Sequence, residues 1–69
     1  MIQKYIILLD KYLKNQLSYK EQLNFEYTIA HNIRLSEQLK VYSTLPEKTF
    51  IKMYTAIKEK VKYQIQEAS

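Results

Sequence analysis

The residues of this chain that could do chemistry are a few carboxylates and one histidine. Four acids are scattered at spacings typical of solvated helix faces: Asp10, Glu21, Glu26 and Glu37. Nucleophilic catalysis needs a nucleophile beside a base that a third group orients. The single histidine, His31, has no cysteine to activate, and without glycine the chain has no glycine-rich phosphate loop. We therefore expect a protein that is not an enzyme.

The length and composition indicate one small domain. With 69 residues, a chain buries only about 60% of its unfolded surface, and its core contributes roughly 3–5 kcal/mol of net stability. A binding partner would therefore affect its stability as well as its function. The absence of cysteine fits a reducing compartment. We expect a cytoplasmic protein, tethered to the inner face of the membrane if the natural chain continues beyond Ser69.

The pattern of apolar residues predicts an all-α fold. The chain has no glycine and one proline, and 46% of its residues are apolar. Apolar residues recur at helical spacing in four segments, which predict helices over residues 2–14, 19–31, 34–42 and 46–67. The first three helices are short and should form a small cluster. The fourth is a longer C-terminal amphipathic helix.

Capping residues divide these helices. Ser18 with Glu21 three residues later is a capping box that opens the second helix. Asn32 can end the second helix in a left-handed conformation or cap the third, and the sequence leaves both alternatives open. Thr44 with Glu47 forms a second predicted capping box, with Pro46 in the first helical turn, where its missing amide is harmless.

The fourth predicted helix carries the clearest apolar stripe. Its members repeat near every 3.5 residues: Phe50, Met53, Tyr54, Ile57, Val61 and Ile65. A helix of this length spans about 30 Å, whereas the short helices span about 15–20 Å. We therefore expect Phe50 to Tyr54 in the core and the later residues beyond the bundle. The exposed part would bind a partner or a second copy of the chain, and the pattern favours neither.

A set of short motifs runs from Leu9 to Tyr42. They are Leu9-Asp10-Lys11-Tyr12-Leu13, Leu17-Ser18 with Glu21, Phe25-Glu26, and Asn32-Ile33-Arg34-Leu35 with Leu39 and Tyr42. Together they resemble the N-terminal domain of bacterial anti-sigma factors, and more closely its zinc-free members. The family usually has a small flexible residue in the loop after Asn15, whereas this chain contains no glycine.

The resemblance implies a partner and a mode of action. The domain would wedge between the two conserved domains of a sigma factor of the extracytoplasmic-function type, cover its polymerase- and promoter-binding surfaces, and repress transcription. Many relatives bind zinc through one histidine and two cysteines, and these positions fall on Thr28, Asn32 and Leu35. None of the three side chains is a good zinc ligand. We expect no metal and no cofactor, with Leu35 packing between the second and third helices instead.

Candidate contact residues come from the amphipathic pattern and not from the resemblance. In the first and fourth predicted helices, the residues that would contact a protein partner are Tyr5, Leu8, Tyr12, Met53, Tyr54, Ile57, Val61 and Ile65. Apolar helix faces of this kind bind grooves or helices of other proteins. We expect no small-molecule substrate.

Three alternatives remain for the function. A homodimer through the fourth helix would bury the same stripe without a regulatory role. A small helical domain could also bind another regulator, such as a kinase or a response regulator. The net charge of +4 raises DNA binding as a third alternative. Acids interleave with the lysines of the fourth helix, and Arg34 is the single arginine of the chain. We therefore interpret these lysines as a solvated helix face and expect no direct nucleic-acid contact.

Overall fold

The computed structural model describes the backbone of residues 2–68 and the side chains of residues 2–63. Four helices make up the fold: α1 (Ile2–Leu13), α2 (Tyr19–His31), α3 (Ile33–Tyr42) and α4 (Glu47–Ala68). Within residues 2–68 there is no β-strand. The all-α prediction with a long fourth helix is therefore confirmed, and every predicted helix end lies within one residue of the observed one.

Asn15 ends α1 in a Schellman motif. Its φ of 58° lies in the left-handed region, where asparagine is tolerated better than most residues other than glycine. The Gln16 amide donates to the Lys11 carbonyl at 2.8 Å, and the Asn15 amide donates to the Tyr12 carbonyl at 3.2 Å. Asn15 thus supplies the sharp reversal that a glycine would otherwise provide.

The predicted capping box opens α2. The Glu21 amide donates to Ser18 Oγ at 3.2 Å, and the Ser18 amide donates to Glu21 Oε1 at 3.0 Å. The hydrogen bond from the Ser18 amide, and then the Ser18 side chain beside the carboxylate, lower the pKa of Glu21. The start of α2 is therefore set by residues that are adjacent in sequence.

Asn32 both ends α2 and begins α3. Its amide donates to the Ile29 carbonyl at 3.4 Å, and its Oδ1 accepts from the Leu35 amide at 3.0 Å. Its backbone is extended, with φ −130° and ψ 92°, so of the two alternatives the cap is correct and the left-handed stop is wrong. Because a single residue separates the two helices, α2 and α3 follow one another closely.

The second predicted capping box is wrong. The first helical residue of α4 is Glu47, and the carbonyl of Pro46 accepts from the Phe50 amide at 3.0 Å. Pro46 is therefore the residue before the helix. Thr44 lies two residues further back, too far to cap the first turn. In the loop between α3 and α4, Ser43 Oγ accepts a hydrogen bond from the Leu45 amide at 3.4 Å.

Side chains from all four helices form the core. Its buried members are Leu9, Phe25, Ile29, Leu35, Leu39 and Phe50. Half-buried side chains surround them, among them Tyr5, Leu8, Tyr12, Met53 and Tyr54. Burying this apolar surface is the main favourable contribution to folding. Leu35 packs in the core as predicted.

α4 runs antiparallel along α3 and then along α2. Near its start Glu47 pairs with Lys40 of α3 at 3.6 Å, and further along Lys60 pairs with Glu26 of α2 at 3.1 Å. Two consecutive short helices therefore cover α4 as far as Val61. The prediction that α4 leaves the bundle after Tyr54 is wrong, because Ile57 and Val61 are each only 2% exposed.

Candidate functional site

The predicted contact residues do not form one surface. Ile57 and Val61 are buried, so their predicted exposure to a partner is wrong for the folded chain. Ile65 lies outside the residues whose side chains are described. The remaining five are half-buried and lie in different parts of the bundle: Tyr5, Leu8, Tyr12, Met53 and Tyr54.

Tyr5 and Leu8 line a groove between α1 and α2. The groove has a volume of about 300 Å³, and its other lining residues are Lys4, Glu21, Asn24, Phe25 and Thr28. Its lining combines apolar side chains with one cation and one carboxylate. Two of the three predicted contact residues of α1 are therefore close together, but they do not share a groove with those of α4.

Tyr12 has an internal partner. Its hydroxyl donates to Oε2 of Glu26 at 2.7 Å, and its ring lies against Phe25 with centroids 5.1 Å apart. Burial, and then the hydrogen bond and the charge of Glu26, raise the pKa of the Tyr12 phenol. Tyr12 therefore joins α1 to α2 and offers little of its polar tip to a partner.

Glu26 is the unexpected residue of this structure. It is 0% exposed, so its predicted place on a solvated face is wrong. Lys60 Nζ donates to its Oε2 at 3.1 Å, while Oε1 has no hydrogen-bond partner among the described residues. A sequence signal existed, because Leu23, Ile29 and Ala30 lie three or four residues away and place Glu26 on the apolar face of α2.

The α3–α4 groove combines Tyr54 with two exposed isoleucines. Ile33 is 69% exposed and Ile51 is 47% exposed, and both line a groove of about 190 Å³ together with Tyr54. The remaining lining residues are Ser36, Glu37, Lys40 and Phe50. This groove is open, partly apolar and built from two rigid helices, which makes it suited to protein binding.

Charged and aromatic groups shape one wall of the α3–α4 groove. The ring of Tyr54 stacks on Phe50 with centroids 6.4 Å apart. Lys58 Nζ lies 5.3 Å from the Tyr54 ring centroid, within cation–π distance. On the other wall, Lys40 pairs with Glu47. Phe50 therefore holds the Tyr54 ring against the core, and Lys40 lines the groove, whereas Lys58 lies over the Tyr54 ring without lining the groove.

Other apolar residues are exposed that the sequence pattern did not single out. Val41 is 72% exposed. Tyr42 is also exposed, although it lies one helical turn after the buried Leu39. Tyr42 instead lines a third groove of about 230 Å³ against α1, together with Leu13 and Leu45 among others. Its position at the last turn of α3 carries it past the core.

The positions that hold zinc in the resembled family have other roles in this chain. Asn32 caps α3, and Leu35 is buried in the core. The described residues contain no group of three or more histidine, cysteine or acidic side chains that could hold a metal ion. His31 lies outside the core, where its Nδ1 is 3.0 Å from the Tyr27 carbonyl and its ring stacks on Tyr27.

Two further observations bear on what the chain could be. Among the described residues, no helix combines the length and apolarity that crossing a bilayer requires. Comparison with protein-family models, curated proteins and solved structures finds no match to this chain.

Proposed function

We propose that this chain is a non-enzymatic protein-binding domain that sequesters a sigma factor of the extracytoplasmic-function type and thereby represses transcription. The observation that supports binding most directly is the α3–α4 groove, where Ile33, Ile51 and Tyr54 offer apolar surface to solvent. The resemblance of the motifs between Leu9 and Tyr42 to anti-sigma factors supports the choice of partner.

The groove would accept one apolar face of a partner helix. Exposed apolar side chains on two adjacent rigid helices can be buried by a partner without reorganising the backbone. Lys40 lines the groove and Lys58 lies over the ring of Tyr54, and a partner helix with acidic residues beside its apolar face would complement these two lysines. Inhibition would then be competition, because a sigma helix held in the groove cannot contact polymerase.

Co-expression with the sigma factors of the same genome, followed by size-exclusion chromatography, tests this proposal. We expect a stable one-to-one complex with one of them. The variant I33D/I51D should abolish co-elution, because it places two carboxylates in the apolar groove. V41D is a matched control, since Val41 is equally exposed on α3 but does not line this groove.

Two outcomes would contradict the proposal. If no sigma factor co-elutes with a protein whose circular dichroism is fully helical, the partner assignment is wrong. If a complex forms and survives I33D/I51D unchanged, the partner binds elsewhere on the domain.

The second candidate is self-association. Ile51 and Tyr54 lie on one side of α4, so two copies of the chain could bury them against each other. Sedimentation distinguishes the candidates without any partner. A homodimer whose dissociation constant rises in I51D would favour self-association, whereas a monomer at high concentration would exclude it.

A further inference from the structure

Two lysines and the single histidine meet in an open depression between the end of α2 and α4. The depression has a volume of about 240 Å³, and its lining consists of Ala30, His31, Lys58, Val61 and Lys62. No carboxylate belongs to this lining, whereas four other grooves formed by the described residues each include one. Positive charge therefore distinguishes this depression from the rest of the described surface.

The two lysines of the depression lack the ion pairs that other lysines of the chain make. Lys14, Lys40 and Lys60 each pair with a carboxylate, whereas among the described side chains neither Lys58 nor Lys62 forms such a pair. Like charges four residues apart on one face of a helix repel each other. A bound anion would relieve this repulsion and would gain charge-assisted contacts from both lysines.

Contacts within the chain hold two of the three side chains in place. Lys58 Nζ lies 5.3 Å from the centroid of the Tyr54 ring. The His31 ring stacks on Tyr27 with centroids 4.2 Å apart, and its Nδ1 lies 3.0 Å from the Tyr27 carbonyl oxygen. Because a carbonyl oxygen only accepts, Nδ1 carries the proton, and Nε2 is the ring atom left for a ligand. Side chains that are already held lose less conformational entropy when a ligand binds.

The end of α2 beside the depression has donors on its exposed carbonyls. Carbonyl groups at the C-terminal end of a helix repel anions. Here the Tyr27 carbonyl accepts from His31 Nδ1, and the Ile29 carbonyl accepts from the Asn32 amide at 3.4 Å. These donors reduce the negative potential at the end of α2, so the two lysines set the sign of the local charge.

We propose that this depression binds a small ligand that carries two linked phosphate groups. Lys58 and Lys62 are about 6 Å apart along the axis of α4, so each can neutralise one phosphate, while His31 contacts the ligand from α2. This departs from the solvated face that the charge pattern predicts, because the pattern does not show that the histidine and the two lysines lie together. The site does not depend on which protein binds the α3–α4 groove.

A small ligand fits this surface better than a nucleic-acid strand does. A strand needs a continuous track of cations along its backbone. Toward the start of α4, the residues one and two turns before Lys58 are Tyr54 and Ile51, which line the apolar α3–α4 groove instead. The positive charge of the depression is therefore confined to one short stretch of the helix.

Titration of the free, full-length chain with inorganic pyrophosphate tests this proposal. At low and constant ionic strength, amide shifts in NMR spectra should saturate with one-to-one binding and be largest at residues 30–31 and 58–62. K58A/K62A should weaken the affinity at least about tenfold, because it removes both ammonium groups. K48A/K52A is the matched control: it removes the same charge from two exposed lysines of α4 that do not line the depression, and it should weaken the affinity less than about threefold.

Two further probes separate the small ligand from larger phosphate-bearing partners. One is an oligothymidine of about twelve nucleotides, and the other is vesicles that contain phosphatidylglycerol. Both should bind the unmodified chain more weakly than pyrophosphate does. The proposal is overturned if pyrophosphate shows no saturable binding, if K58A/K62A and K48A/K52A weaken its binding equally, or if the oligothymidine or the vesicles bind more tightly than pyrophosphate.

Discussion

The Tyr12 hydroxyl donates to Oε2 of Glu26 at 2.7 Å across a separation of 14 residues. This hydrogen bond joins α1 to α2 on the side of the bundle that Lys60 of α4 also reaches. The buried carboxylate of α2 thus joins three helices, because it accepts one donor from α1 and one from α4. Hydrogen bonds to a charged group contribute more than those between neutral groups.

Tyr12→Phe should lower the free energy of unfolding by about 1–2 kcal/mol at neutral pH. It removes one donor from a buried carboxylate and leaves the aromatic ring in contact with Phe25. Urea denaturation followed by circular dichroism measures the change. Tyr19→Phe is the control, because Tyr19 is exposed. Equal stability of the two variants would show that the Tyr12 hydrogen bond is not formed in solution.

The raised pKa of Tyr12 also predicts a dependence on alkaline pH. Because the folded state holds the phenol proton more tightly, its contribution to stability is complete below the ordinary tyrosine pKa of about 10 and is lost as pH rises above it. Stability measured from pH 8 to 11 should therefore fall more steeply in the unmodified chain than in Tyr12→Phe. Parallel curves would contradict this assignment.

Ser18→Ala should lower the free energy of unfolding by about 1 kcal/mol, because the Glu21 amide loses its acceptor at the start of α2. Thr44→Ala should have an effect near zero, since α4 begins at Glu47 without Thr44 as its cap. Thermal denaturation of both variants checks this contrast. A large loss in Thr44→Ala would restore the second capping box that the sequence predicts.

The effect of replacing Asn15 on stability should depend on how well the new residue tolerates the left-handed conformation, because the φ of Asn15 is 58°. Asn15→Gly should be neutral or stabilising by less than about 1 kcal/mol, whereas Asn15→Val should destabilise by about 1–2 kcal/mol. Both free energies come from urea titration. If valine were tolerated as well as glycine, the Schellman motif would not be the structure in solution.

Two isoleucines four residues apart should respond very differently to truncation. Ile29→Ala should lower the free energy of unfolding by about 2–5 kcal/mol, because Ile29 is fully buried in the core. Ile33→Ala should change it by less than about 0.5 kcal/mol, because that side chain lies in the open α3–α4 groove. Similar losses at both positions would mean that α3 is rotated relative to α2.

Local sequence was sufficient to predict the four helices and most of the interactions that begin and end them. Ser18 and Glu21 were predicted to cap α2, and Asn32 was one of two alternatives for its junction with α3. These interactions join residues at most three apart, so the sequence pattern contains both partners. The second capping box failed for a local reason as well, since Pro46 precedes α4 instead of entering its first turn.

Which face of each helix is buried depends on packing between parts of the chain that are distant in sequence. Glu26 lies on the apolar face of α2, but the two donors that compensate the burial of its carboxylate, Tyr12 and Lys60, are 14 and 34 residues away. Ile57 and Val61 are buried because α2 and α3 follow one another and together cover α4, which the lengths of the separate helices did not indicate. An amphipathic pattern specifies that a face is apolar, but the direction in which neighbouring helices pack determines whether that face meets the core or solvent.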